Sequence, residues 1–274
     1  MSITVTAADI NKLRQATGAG MMDCRKALTE SNGEFEAAID WLRKQGQKVA
    51  AKRSDREAKE GVVLAMTTSD NKAGIVICIS CETDFVSKND DFVAFAQSIA
   101  DAAIANNVKT AEELGNVEIN GAKVSDMIND KLAAIGEKIE IQKFERVEAP
   151  FVASYIHGTN RMGVLVGMTH EAAEAGKDVA MQIAAMNPLA IDESEIDPAI
   201  ITREKEIIIE LIKAEGKPAE MAEKISVGKL NRFLKDNTLL AQPFVKDNAK
   251  TVAEYLKSTN ADLKLTAFKR VALG

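Results

Sequence analysis

Apolar residues near the start of the chain recur at helical spacing. Phe35, Ala38, Ile39 and Leu42 follow the i, i+3, i+4, i+7 rule, which gathers them on one helix face. Ile10 and Leu13 open a similar face just after Thr6-Ala7-Ala8-Asp9. There a hydroxyl at the cap and a carboxylate three residues on make a variant of the capping box. Thr17-Gly18-Ala19-Gly20 ends this helix, because glycine takes the left-handed conformation freely. A second helix is predicted from about Met22 to Thr29, and Ser31-Asn32-Gly33 is a turn. Gln45-Gly46-Gln47 is predicted to end the third helix. So small a bundle has a marginal core on its own, so residues 1–48 read as a docking module.

The period then changes. Residues 49–60 are a charged connector, read as a short helix or a tether with a solvated face. Two apolar runs, Gly61 to Thr68 and Ala73 to Ser80, flank Ser69-Asp70-Asn71-Lys72 and read as a β-hairpin. A helix follows through Phe92 to Ala100 and ends before Asn106-Asn107. The same order returns later. Phe151 to Ile156 and Met162 to Thr169 flank Gly158-Thr159-Asn160-Arg161, and a helix covers Asp178 to Ala185. Asn71-Lys72-Ala73-Gly74-Ile75 aligns with Asn160-Arg161-Met162-Gly163-Val164. This predicts an internal duplication: an α+β fold with one subdomain over 61–148 and a second over 149–274. Between them lie a turn at Ile119-Asn120-Gly121, a helix from Val124 to Leu132 and a strand through Lys143 to Val147. Thr202 to Glu215 and Ala219 to Leu234 read as helices around Gly216-Lys217-Pro218. They form either an antiparallel hairpin, inserted over 199–235 as a projecting arm, or two ordinary core helices. Ile207, Ile208, Leu211 and Ile212 are expected on one side. The last strand runs from Leu263 to Val271.

Composition narrows the function classes. The 274 residues carry a formal charge of −6, which argues against a general nucleic-acid or membrane-surface binder. No apolar run reaches the length of a membrane span. The sequence around Met1 lacks the basic-then-apolar order of a secretory signal, so a cytoplasmic location is expected. The three cysteines suit reduced thiols.

Catalytic patterns fail one by one. His157 and His170 are the only two histidines, and neither has metal-ligand company. Cys78-Ile79-Ser80-Cys81 is a lone CxxC at a strand end, where its sulfurs face opposite sides. Gly158 to Gly163 has the outline of a phosphate loop, but Val164-Leu165 follows it where Lys-Ser/Thr is needed. No catalytic residue, metal site or cofactor is expected.

One stretch resists a bland description. Cys81-Glu82-Thr83-Asp84-Phe85-Val86 follows the most strand-like run and precedes a helix. A loop carrying an aromatic beside a carboxylate is either core plus helix cap, or a binding tip on a rigid scaffold. The second half offers His170-Glu171-Ala172-Ala173 at the matching place, with no aromatic.

Two long motifs identify a family. Thr17-Gly18-Ala19-Gly20-Met21-Met22-Asp23-Cys24-Arg25-Lys26-Ala27-Leu28 and Cys81-Glu82-Thr83-Asp84-Phe85-Val86 resemble the signatures of the bacterial translation elongation factor Ts family. Ile135-Gly136-Glu137-Lys138-Ile139, Tyr155-Ile156-His157-Gly158, Gly163-Val164-Leu165-Val166 and Gln242-Pro243-Phe244-Val245 support it, in family order. The resemblance implies a guanine-nucleotide exchange factor that binds elongation factor Tu carrying GDP and promotes GDP release, without being an enzyme. It implies a ubiquitin-associated-like N-terminal module, two core subdomains and a coiled-coil arm. It assigns Arg14, Met21 and Met22 to contact with the partner's GTPase domain. Thr83, Asp84, Phe85 and Val86 are assigned to its nucleotide and magnesium site, and Ile135, Gly136 and His157 to further core contacts. Many members continue into an extra C-terminal module; this sequence ends at Gly274. A dimer and a two-plus-two complex with Tu both stay open. The competing reading is a ubiquitin-associated-type adaptor without exchange activity.

Overall fold

The computed structural model describes residues 5–53, 55–215 and 219–274. Three helices come first: α1 (Ala7–Thr17), α2 (Met21–Glu30) and α3 (Phe35–Arg53). Thr6 and Asp9 form the reciprocal capping box, and Gly18 ends α1 at φ +68°. Leu13, Cys24, Ala27, Leu28 and Ala38 make a small core, with Ile10, Phe35 and Leu42 packed around it.

The third helix does not stop at Gln45-Gly46-Gln47; it runs on to Arg53. Glycine weakens a helix by about 1 kcal/mol when nothing else favours it. Here Gly46 is the point of closest approach to a later helix. A Cβ at that position would lie 3.0 Å from Ala133 Cβ and 3.2 Å from the Asn129 carbonyl. Beside it Arg43 meets Asp130 at 3.8 Å. The glycine therefore joins the module to the core and breaks nothing.

The core follows as β1 (Glu60–Thr67), β2 (Ala73–Cys81), α4 (Asp84–Ser87), α5 (Asp90–Ala105), α6 (Ala111–Asn116), β3 (Glu118–Ile119), β4 (Ala122–Lys123), α7 (Val124–Ile135) and β5 (Glu140–Glu148). The second half has β6 (Phe151–His157), β7 (Met162–Met168) and α8 (Ala173–Met186). After it come α9 (Pro198–Ala214), α10 (Ala219–Asn237), β8 (Pro243–Phe244), β9 (Asp247–Thr251), α11 (Val252–Thr259) and β10 (Leu265–Ala272).

Two three-stranded antiparallel sheets form the centre, in the orders β1-β2-β5 and β6-β7-β10, beside the two-stranded pairs β3-β4 and β8-β9. The middle strand of each is the second strand of its hairpin. Every residue of β2 is buried, which explains its unbroken apolar run. Ile75, Ile77 and Ile79 face α5, while Val76 and Cys78 face the other sheet with Val63, Val152, Leu165 and Val271. Cys78 and Cys81 thus lie on opposite faces, as the alternation required.

The duplication is visible atom by atom. The Val63 amide donates to the Asn160 carbonyl at 2.7 Å, and the equivalent Val152 amide donates to Asn71 at 2.6 Å. Ala149 bonds Lys72 and Leu273 bonds Arg161, both at 3.0 Å. A Cβ on Gly163 would strike Val76 and Val63; one on Gly74 would strike Leu165 and Val152. Each half therefore meets the other through the same contacts, as a local twofold requires.

Helices α9 and α10 pack on each other through Ile208, Ile212, Ile225 and Leu230, a satellite cluster apart from both cores. This is the arm. Of the four residues expected on one side, Ile208 and Ile212 are buried, while Ile207 and Leu211 are exposed, Leu211 at 55%. One partner helix covers only a narrow stripe of its neighbour, so the outer pair stays in solvent. The break at Gly216-Lys217-Pro218 lies outside the described residues. Among the described residues no helix is long and apolar enough to cross a membrane.

Candidate partner interface

The central strand β2 delivers the chain to an edge of the molecule and a single helical turn follows. Thr83 caps that turn in extended conformation, at φ −123° and ψ 154°. Its four motif residues divide. Val86 turns inward onto the first core, and Thr83 bonds backward to Glu137. Asp84 and Phe85 point away. Phe85 is 83% exposed, so the reading of it as core is wrong. Asp84 binds Lys88 at 2.6 Å, one turn on, and that bond holds its carboxyl below the usual aspartate range.

Phe85 edges a groove of about 580 Å3, lined also by Thr17, Gly18, Val86, Met127 and Ile135. Ile135 is the last residue of α7, and Gly136 turns the chain there at φ +79°. The groove thus joins three places predicted separately: the end of α1, the tip after β2 and the Ile135-Gly136 corner. Met21 and Met22 follow the groove-lining Gly18 and are exposed, Met22 at 73%. Arg14 is exposed on α1.

His157 does not line the groove. It is exposed at the end of β6, its ring bonded to the Tyr155 hydroxyl at 3.0 Å. Its turn lies at the same end of the sandwich, however. Arg161 in that turn binds Glu60 at 3.1 Å, and Glu60 pairs with Cys81, next to the tip.

The charged connector is more than a solvated face. Arg53 and Arg56 both bind Glu82, each at 3.0 Å. Burial pushes the Glu82 carboxyl up, but the Lys138 amide and the two guanidinium groups outweigh it and leave the pKa below the usual value. Sequence reasoning missed these partners because nothing local marks them. Arg53 and Glu82 stand 29 positions apart, and Thr83 and Glu137 stand 54 apart.

Among the described residues no group of three or more His, Cys, Asp or Glu could hold a metal ion. The thiols are buried, and burial pushes Cys81 up to about 12 and Cys78 to about 11, so neither is a ready nucleophile.

A sequence model of the family described as Elongation factor TS matches residues 82–274. The chain is 50% identical to a protein of Christiangramia forsetii named Elongation factor Ts, over 98% of this chain and 99% of that protein. A protein of the same name from Flavobacterium psychrophilum is also 50% identical, over 99% of both. One from Methylococcus capsulatus is 45% identical, over 95% of this chain and 90% of the other.

Proposed function

This chain belongs to the elongation factor Ts family of translation elongation factors, and from that premise we propose that it is a guanine-nucleotide exchange factor for elongation factor Tu in the cytoplasm. It binds Tu carrying GDP and promotes GDP release without making or breaking a bond. The observation that carries this reading is Phe85, a solvent-presented aromatic on the tip beside a groove whose lining combines apolar side chains with Asp91, Asp130 and Lys131.

A GTPase holds GDP by a phosphate-cradling loop and a hydrated magnesium ion. Phe85 enters an apolar slot between elements of the Tu GTPase domain and moves them apart. Asp84 brings negative charge towards the phosphates and disturbs the magnesium water shell. Met21 and Met22 supply an adaptable second contact, because thioethers repack readily. The Ile135-Gly136 corner and His157 extend the contact across the same end of the molecule. Linkage makes the effect mutual: whatever factor this protein removes from GDP affinity, GDP removes from its own affinity for Tu.

Burying a phenylalanine side chain is worth about 1.5–3 kcal/mol. Phe85→Ala is therefore expected to slow stimulated GDP release by roughly ten- to hundredfold. Stopped-flow release of a fluorescent GDP analogue from Tu measures this. Acceleration equal to wild type would remove the wedge from the mechanism.

A further inference from the structure

Two carboxylates lie beneath the tip, and neither belongs to the contact surface just described. Glu82 and Glu137 leave neighbouring loops in opposite directions. Glu137 Oε2 accepts from the Glu82 and Thr83 amides, both at 3.0 Å, and its Oε1 accepts from the Thr83 hydroxyl at 2.6 Å. Glu82 Oε1 accepts from the Lys138 amide at 2.6 Å and from Arg53 Nη1 at 3.0 Å. Its Oε2 accepts from Arg56 Nη1 at 3.0 Å. Each loop thus satisfies the backbone of the other.

The tip needs this support. Helix α4 has four residues and no side-chain cap bond. A single turn is not stable by its own hydrogen bonds, so its direction must be imposed from outside. Thr83 is its cap residue, yet the Thr83 hydroxyl is given to Glu137. The same clamp reaches two other parts of the candidate interface. Glu137 follows Gly136 directly. Arg53 is the last residue of α3, so the N-terminal module is tied to Glu82.

We propose that Glu137, with Glu82, is a positioning residue for nucleotide exchange: the reciprocal clamp holds the Asp84-Phe85 tip, the Ile135-Gly136 corner and the end of the N-terminal module as one rigid frame. Docking of the module then drives the tip into the partner, where a loose tip would bend away. This rests on the exchange-factor reading.

The decisive set is Glu137→Ala, Glu137→Gln and Thr83→Val in the full chain, beside Phe85→Ala. Glutamine can keep all three bonds. Its carbonyl accepts from both amides, and its NH2 donates to Thr83 Oγ1 once the hydroxyl turns. Glu137→Ala should speed amide exchange at Glu82 and Thr83 in the free protein by about tenfold or more. It should cut the maximal rate of Tu-bound GDP release by a similar factor, with the half-saturating concentration changed much less. Glu137→Gln should stay near wild type, and Thr83→Val should fall between. Thr83→Val removes one hydroxyl only, so it decides the matter if Glu137→Ala fails to fold. Unchanged amide exchange and maximal rate in Glu137→Ala or Thr83→Val would overturn the clamp, as would damage in Glu137→Gln equal to that in Glu137→Ala. If Phe85→Ala releases GDP like wild type, the wedge reading fails; amide exchange still decides the clamp.

Discussion

The two halves of the core share a hairpin, a covering helix and a returning strand, but they differ in the segment that leaves the buried central strand. After β2 comes the clamped turn with Phe85 in solvent. After β7 the chain passes through Thr169 and His170, bonded to each other at 2.9 Å, and enters α8 with no side-chain cap bond and no aromatic. The scaffold that both halves repeat is therefore a matter of packing. At this strand end the difference is a short graft, which is where a shared fold usually carries its function.

The sharpest way to break the comparison is at the sheet contact both halves use. A Cβ on Gly163 would lie 2.7 Å from Val76 and 3.1 Å from both Ala65 and Val63. On Gly74 the nearest atoms, Leu165, Val152 and the Met66 carbonyl, are each 3.0 Å away. Overpacking of this kind costs about 1–3 kcal/mol. Gly163→Ala should lie at the upper end and Gly74→Ala below it, read from chemical denaturation midpoints. A wild-type midpoint for both would mean that the halves do not meet as closely as the twofold demands.

Acid and alkali should separate the halves next. The Glu82 carboxyl has a folded pKa below its usual value. Its contribution is present above the ordinary glutamate range and is lost as pH falls through the folded value, so the clamp loosens on the acid side. In the second half Tyr255 donates to Asp178 at 2.9 Å and stacks on Phe244. Burial, then the Asp178 bond, pushes Tyr255 up to about 12 from 10. The unfolded chain ionises first, so that contribution is present below pH 10 and is lost as pH rises from 10 towards 12. Carbon-detected titration of Glu82, and ultraviolet titration of Tyr255 in a Tyr155→Phe background, measure the two shifts. Values at the ordinary positions of either group would refute the corresponding network.

Much of this architecture was legible because it is local. The Thr6–Asp9 box, the glycine at the end of α1, the buried run of β2 and the repeated Asn-x-x-Gly turns are read within a few residues. The odd chemistry of Asp84-Phe85 was legible as well, since an aromatic has no reason to lie in a plain connector. What stayed hidden depends on residues far apart in the chain. Gly46 reads as a helix stop until Ala133 is seen against it. Ile207 and Leu211 share one apolar side with Ile208 and Ile212 in the sequence, and only the packing of the arm shows which pair is covered. Arg53 and Arg56 read as solvated charges of the connector, and nothing local pairs them with Glu82, or Glu137 with Thr83, until the loops are brought together.

The smallest expected effect comes from the third strand of each half. Arg146 pairs with Ile75 on β2, and Arg270 pairs with the equivalent Val164 on β7. Both guanidinium groups turn towards the far end of the covering helix. Arg146 is fully used: its Nε meets Glu148 at 2.9 Å, and its terminal nitrogens reach the Val108 carbonyl and Asn107. Among the described residues Arg270 reaches only the Ala184 carbonyl, at 3.5 Å, and its buried Nε has no hydrogen-bond partner there. The residue two positions on explains the difference, since Ala272 stands where the first half has Glu148. Ala272→Glu should restore the missing carboxylate by symmetry. A charged hydrogen bond to a buried donor, discounted for an exposed strand edge, should add about 0.5–1.5 kcal/mol. The gain should vanish in an Arg270→Lys background, because lysine has no Nε donor at that place. An equal gain in both backgrounds would trace it to general surface charge and would show that the twofold does not extend to these side chains.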